Sequence, residues 1–269
     1  MTVYLGKNPV GVGRIVEKKV AKTKFGASVD SFLGDVDADG NYVKPSESFE
    51  VNLAGVKKAA SNDFNCSFYR NEGITKFIAN DLIQARGTPF SQTAYAASNL
   101  EEVHIDSLEV LDVSVSNCFY QAFGYCTKLK KATFAKLKSV LGGGNVFYGC
   151  FAGVSLNVSE VFPSLEEIAG VSAFDNFIKY NKDDVITFLK IKKITGGQQS
   201  YNSTFGSFYA QNTVWNFPSA TEFTGYIWNV GASYAGEIHF AAANQAAIEA
   251  CEGYSYKWGF QNATIFFDL

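Results

Sequence analysis

The chain has 269 residues, 47% hydrophobic and 18% charged, which is enough apolar content for a continuous core and excludes a disordered chain. A net charge of -3 and a pI near 5.5 give no electrostatic case for nucleic acid or an anionic membrane as partner. No stretch approaches the ~18 apolar residues of a membrane span. The segment Met1 to Lys7 lacks the apolar core of a signal peptide, so synthesis in a cytoplasm without export by a leader is expected.

Residues 1–45 read as a separate amino-terminal element. Val3-Tyr4-Leu5, Gly11-Val12-Gly13 and Arg14-Ile15-Val16 suggest a small glycine-turned strand pair. Asp35-x-Asp37-x-Asp39-Gly40 opens like a calcium loop, three oxygen ligands two apart and then glycine for a sharp turn. Its twelfth position is Ser46 where glutamate is expected, and Glu47 comes one residue late. An Asp/Gly-rich turn between strands is the first reading, with a calcium site at Asp35, Asp37 and Asp39 as the alternative.

From residue 46 to 240 a nine-residue frame recurs. Val103-x-Ile105-x-x-Leu108-x-x-Leu111 returns as Ala132-x-Phe134-x-x-Leu137-x-x-Val140 and as Ile186-x-Phe188-x-x-Ile191-x-x-Ile194. Val51, Phe77 and Trp215 open further copies, and the starts at 51, 77, 103 and 132 lie 26, 26 and 29 residues apart. A fixed period in this range specifies a solenoid. Apolar-x-apolar is a short strand with two side chains inward, and the later apolar positions demand a bend and a second inward-facing segment. One parallel sheet with about eight or nine right-handed coils is expected, its strands about 4.8 Å apart. Between 140 and 186 Leu156-x-Val158 is taken as the strand, and Phe162-Pro163-Ser164-Leu165 realigns on Phe217-Pro218-Ser219-Ala220, which implies a short insertion.

Phe68, Phe123, Phe147 and Phe177 lie nine residues before the strand starts 77, 132, 156 and 186. The run Ala122-Phe123-Gly124-Tyr125-Cys126-Thr127-Lys128-Leu129-Lys130-Lys131-Ala132-Thr133-Phe134 resembles the BspA-like leucine-rich repeat, A-F-x-x-C-x-x-L-x-x-φ-x-φ. The resemblance covers about residues 48–240 and implies an α/β repeat solenoid of that type, with a broad interaction surface. Phe205-Gly206-Ser207-Phe208 lacks the cysteine and Phe90 to Tyr95 is shuffled. The five cysteines are odd in number and lack CxxC spacing, so small buried thiols are expected, with no cofactor.

Residues 241–269 read as a cap. Ala241 to Cys251 is a short alanine-rich helix stopped by Gly253, and Ile265-Phe266-Phe267 closes the chain 27 residues after Ile238.

Chemistry is sparse. His104 and His239 both occupy the outward position of apolar-x-apolar, about five coils and so roughly 24 Å apart, too far to share a metal or a proton. Glu50, Lys76, Glu102 and Lys131 precede successive strands and should form a cross-strand charge ladder. No nucleophile elbow, phosphate loop or dinucleotide fingerprint occurs, so no enzyme is expected. Aromatics are in surplus, eleven of them between 201 and 240. Trp215, Phe217, Phe223 and Phe240 are core by register, whereas Tyr209, Tyr226, Trp228 and Tyr234 fall in Gly/Ser/Asn-rich turns and are the candidate partner contacts.

The segment Lys24 to Asp37 resembles the amino-terminal segment of tail-associated proteins that phages and prophages of gut bacteria encode ahead of BspA-like repeats. The resemblance implies a non-enzymatic receptor-binding or adhesion component of a virion. Residues 1–45 would attach to other tail proteins and the solenoid would meet a host-surface protein or glycan, with a homo-oligomer left open. The competing readings are a BspA-like bacterial surface adhesin, which needs export, and a tail glycan-cleaving enzyme, which needs two carboxylates about 5–9 Å apart across one groove.

Overall fold

The structure is a computed structural model that describes residues 2–4, 21–22, 28–29, 35–36, 38, 42–43, 48–178, 185–198, 203–205, 213–229 and 235–269. The described residues between 48 and 269 wind as a parallel β-solenoid of about seven turns, each turn having three sides.

The first side carries the apolar-x-apolar strands. Phe49–Asn52, Ile74–Ile78, Glu102–His104 and Lys131–Thr133 pair in parallel, and His104 stands directly opposite Thr133 as the frame requires. Val51, Phe77 and Val103 point inward and are fully buried. Further along, Val185–Thr187, Val214–Phe217, Glu237–Phe240 and Thr264–Phe267 form a second parallel sheet. The second side holds the other apolar pair of the frame. Lys58–Ala59 pairs with Gln84–Ala85, and Val110–Leu111, Ser139–Val140, Glu167–Ala169, Lys193–Thr195 and Glu222–Thr224 make a five-stranded parallel sheet. These seven second-side strands count the complete turns. The expected eight or nine coils counted first-side strands, and among the described residues the last two of these, Glu237–Phe240 and Thr264–Phe267, are followed by no second-side strand.

The first-side sheet is broken where a strand was expected at Leu156-x-Val158. A four-residue helix, Val158–Val161, takes the place instead, packing between Lys131–Thr133 and Val185–Thr187. Asn157 caps it, its Oδ1 accepting from the Ser159 N–H at 3.1 Å while its Nδ2 donates to Glu160 at 3.0 Å. Asn-x-x-Glu is a helix-start signature, and here it overrides a two-residue apolar alternation. Ile168 then opposes Val140 and Ile194, so the realignment of Phe162 to Ile168 holds.

The third side is a ladder of turns. The N–H groups of Phe64, Cys66, Phe68 and Arg70 donate to the carbonyls of Pro89, Ser91, Thr93 and Tyr95 one coil on. Those of Ser67, Tyr69 and Asn71 fold back three residues within their own coil. Every fourth residue is left-handed: Asn62, Cys66 and Arg70, then Asn117, Gln121 and Tyr125, then Asn145, Gly149 and Gly153. That recurrence forbids a helix here. The helical part of the expected α/β mixture is accordingly confined, among the described residues, to Val158–Val161, Gln245–Glu249 and two short 3-10 segments.

The core is a pile of phenylalanines. Phe64, Phe90, Phe119, Phe147 and Phe174 stack face to face at 5.0 to 5.2 Å, one per coil. Phe147 therefore aligns with Phe119, four residues from the position expected for it. A turn side that repeats every four residues looks the same after a shift of four, and no strand starts at Leu156 to fix the spacing. Cys118, Cys126 and Cys150 are buried and Cys66 and Cys251 partly so, all as free thiols. Gly170 is forced by close approach: it is left-handed, and a Cβ on it would lie 2.5 Å from the Gly142 carbonyl oxygen.

The carboxyl-terminal residues add a short helix and one more strand. Gln245–Glu249 is helical, Gly253 is left-handed, and Ile265 opposes Ile238. Trp258 closes the core, its Nε1 donating to the Phe223 and Glu252 carbonyls at 3.1 and 3.0 Å. At the amino end Thr2–Tyr4 pairs in parallel with Phe49–Asn52, so it extends the solenoid sheet instead of joining a local strand pair. Gly11 to Val16 lie outside the described residues. Among the described residues no helix is long and apolar enough to cross a membrane.

Candidate functional site

Stacking one coil on another places equivalent residues above each other, so each outward position becomes a column. The columns of the two sheet sides are charged. Lys76 Nζ lies 3.7 Å from Glu50 and 3.5 Å from Glu102. On the second side Glu109 pairs with Lys138 at 3.1 Å, Glu166 with Lys192 at 2.7 Å and Lys193 with Glu222 at 2.8 Å. Alternation of sign removes the like-charge repulsion that a stacked column would otherwise suffer.

Both histidines sit inside such ladders, with strands or helix of four intervening steps between them. His104 Nε2 meets Glu102 at 3.1 Å and its Nδ1 meets Thr133 at 3.0 Å. His239 lies between Glu237 at 3.0 Å and Asp268 at 2.7 Å and stacks on Phe266. The hydrogen bond from His104, helped by Lys76, holds the Glu102 carboxyl below the ordinary carboxylate range. These groups serve each other. Among the described residues no cluster of His, Cys, Asp and Glu is arranged to hold a metal ion.

The turn side differs. Residues 87–100, 113–127 and 139–159, which supply three successive coils of it, contain no charged side chain. Its columns are tyrosine and amide. Tyr69 stacks on Tyr95 at 5.3 Å and Tyr120 on Tyr148 at 5.1 Å. Between these rows, Gln92 Nε2 donates to Gln121 Oε1 at 2.9 Å. Tyr125 ends the first row, turned 63° to Tyr95 at 5.4 Å and half exposed, and it lies over Gly153, where a Cβ would approach to 2.9 Å. The Arg70 guanidinium sits over Tyr69 at 5.5 Å and is the one cation of the set. Burial raises the Tyr95 phenol above its ordinary range, and the neighbouring Tyr125, Tyr69 and Tyr120 add to the shift. The phenol oxygens of Tyr95, Tyr120 and Tyr125 have no hydrogen-bond partner among the described residues. Rigid rings with free polar edges, held by stacking and by the backbone ladder, form a pre-ordered recognition surface.

The residues chosen from sequence fare differently. Trp228 is fully buried, packed on Trp215 at 5.6 Å and within 6.2 Å of Phe217 and Phe223, so it is core and not a surface contact. Its segment bonds to Trp258 of the cap, which turns the ring inward to fill a wide terminal coil. Tyr226 is half-buried against Tyr256 at 5.4 Å. Tyr209 and Tyr234 lie outside the described residues, as do Asp37 and Asp39. Asp35 is on a strand, Asp35–Val36, paired antiparallel with Tyr42–Val43. The tyrosine rows of the amino half were missed, although the long charge-free runs with a four-residue period were readable.

No family model matches the chain, and no curated protein or solved structure is significantly similar to it.

Proposed function

We propose that this protein is a non-enzymatic binding protein whose contact surface is the uncharged turn side around Tyr95, Tyr125, Gln121 and Tyr148. The carrying observation is that half-exposed rings and amides are ordered there with the phenol groups of Tyr95, Tyr120 and Tyr125 unspent, while Glu50, Lys76 and Glu102 and the second-side pairs Glu109–Lys138, Glu166–Lys192 and Lys193–Glu222 are committed to ion pairs. The contact therefore lies in the amino half of the solenoid, away from the carboxyl-terminal turns that composition alone favoured.

The setting we infer is a phage or prophage tail, with the protein as a receptor-binding or adhesion component and residues 1–45 as its attachment to other tail proteins. This rests on the resemblance of Lys24 to Asp37. The solenoid belongs in this reading to the BspA-like leucine-rich-repeat type, supported by the run Ala122 to Phe134 and by the coil period. Electron microscopy of induced particles labelled on this protein tests the setting: label on tails is expected, and label confined to bacterial cytosol overturns it. Pull-down of host cells by the purified chain tests the binding role, with loss on Tyr125→Ala expected at unchanged melting temperature.

A further inference from the structure

We infer that the turn side takes an uncharged polysaccharide, laid along the solenoid axis with about one sugar unit per coil. The inference deepens the binding role proposed above and rests on it. Three features of the face select this ligand.

The first is charge. From Thr88 to Val154 the turn side offers only Asn, Gln, Ser, Thr, Tyr and apolar groups, in a chain whose other two sides carry columns of Lys and Glu. An acidic polysaccharide or a nucleic acid would find no cation on this stretch, Arg70 lying at its amino-terminal border over Tyr69. A neutral polyol finds matched, unscreened hydrogen-bonding groups.

The second is pitch. The tyrosine rows advance 5.3 Å from Tyr69 to Tyr95 and 5.1 Å from Tyr120 to Tyr148, so the polar edges recur at the coil spacing. One pyranose ring with its linking oxygen advances an extended glycan by a comparable length. A peptide strand presents same-side residues every ~6.6 Å, which leaves register within two or three coils.

The third is unspent capacity. Tyr95, Tyr120 and Tyr125 hold uncommitted phenol groups, and Gln121 Nε2, at the end of the Gln92–Gln121 relay, has no partner among the described residues. Donor and acceptor groups thus alternate with ring edges, the arrangement that a sugar with hydroxyl rims and C–H faces requires.

The test is calorimetric titration with neutral oligosaccharides of rising length, cello-, malto-, manno- and chito-series, beside heparin and polygalacturonate. At least one neutral series should bind with affinity that climbs up to about four units, the number of successive coils from Tyr69 to Tyr148, and then levels off. Gln121→Glu and Tyr125→Ala should each weaken it about tenfold or more, while Lys138→Ala on the second side leaves it unchanged and all three variants keep the wild-type melting temperature. Preferential binding of the acidic polymers, affinity independent of length, absence of binding by every neutral series, or wild-type affinity in both turn-side variants would each overturn the inference. Cells oxidised with periodate separate the two levels. If they bind as well as untreated cells, the glycan is wrong and a protein receptor stands; if untreated cells do not bind at all, the receptor-binding role itself fails.

Discussion

The sheet sides and the turn side solve one problem in opposite ways. A solenoid repeats each outward position about every 5 Å, so whatever a column holds it holds at close quarters. The sheet columns alternate sign, as in Glu50–Lys76–Glu102, and their charges are consumed in one another. The turn columns dispense with charge and stack rings and amides instead, Tyr69 on Tyr95 and Gln92 on Gln121. Stacking satisfies the ring faces, and among the described residues the hydroxyls of Tyr95, Tyr120 and Tyr125 stay free. The second solution keeps the phenol groups of Tyr95, Tyr120 and Tyr125 available to a partner, which is why the proposed binding role is assigned to it.

The comparison breaks most sharply at the core both sides share. Phe134→Asp should abolish cooperative folding, since an unpaired buried charge costs several kcal/mol. The ring is fully buried between Phe119, Phe147 and Phe162. Circular dichroism reads the outcome, and a folded variant would mean that the coil stack is wrong. Next in size, Trp228→Ala should cost about 3–5 kcal/mol in denaturant unfolding, whereas Tyr125→Ala should stay within about 0.5 kcal/mol. Equal losses would erase the distinction between core and face on which the site rests.

The charged columns should respond weakly. Lys76→Ala removes two partners at once, and its half-exposed geometry limits the loss to about 1 kcal/mol or less, shrinking further in high salt. A salt-independent loss would point to packing of the lysine stem instead. The smallest effect is in pH. The Glu102 carboxyl is held below its ordinary range by His104 and Lys76, so its contribution is present above the unfolded carboxylate pKa and disappears as pH falls through the depressed folded value. Acid unfolding of Glu102→Gln compared with wild type should therefore differ least at low pH, and a difference that grows on acidification would reverse the assignment. The turn face, having no carboxylate between Thr88 and Val154, should bind its partner independently of pH across that same range.

How legible this was depended on the kind of interaction. The nine-residue frame placed Val103 against Ala132 and Ile238 against Ile265 from sequence alone, because inward apolar periodicity is a local property of each unit. The closing helix and its stop were legible from equally local signals, the alanine run and Gly253. The strand at Leu156 was misread because two alternating apolar residues are weaker than the Asn157 cap beside them. Phe147 slipped by four because the turn side has its own period.

The candidate site divides along the same line. That residues 87–100, 113–127 and 139–159 lack charge, and that tyrosine and glutamine recur in them, is written in the chain. That Tyr120 meets Tyr148 and Gln92 meets Gln121 is not, since neighbours in a column are 26 to 29 residues apart and their register is set by coil length, left-handed turns and the helix that replaces a strand. Trp228 shows the reverse: a glycine-flanked turn predicts exposure, but Trp258 and Phe260 of the cap close over it, and burial is decided by what lies across the coil and not by what lies beside it in the chain.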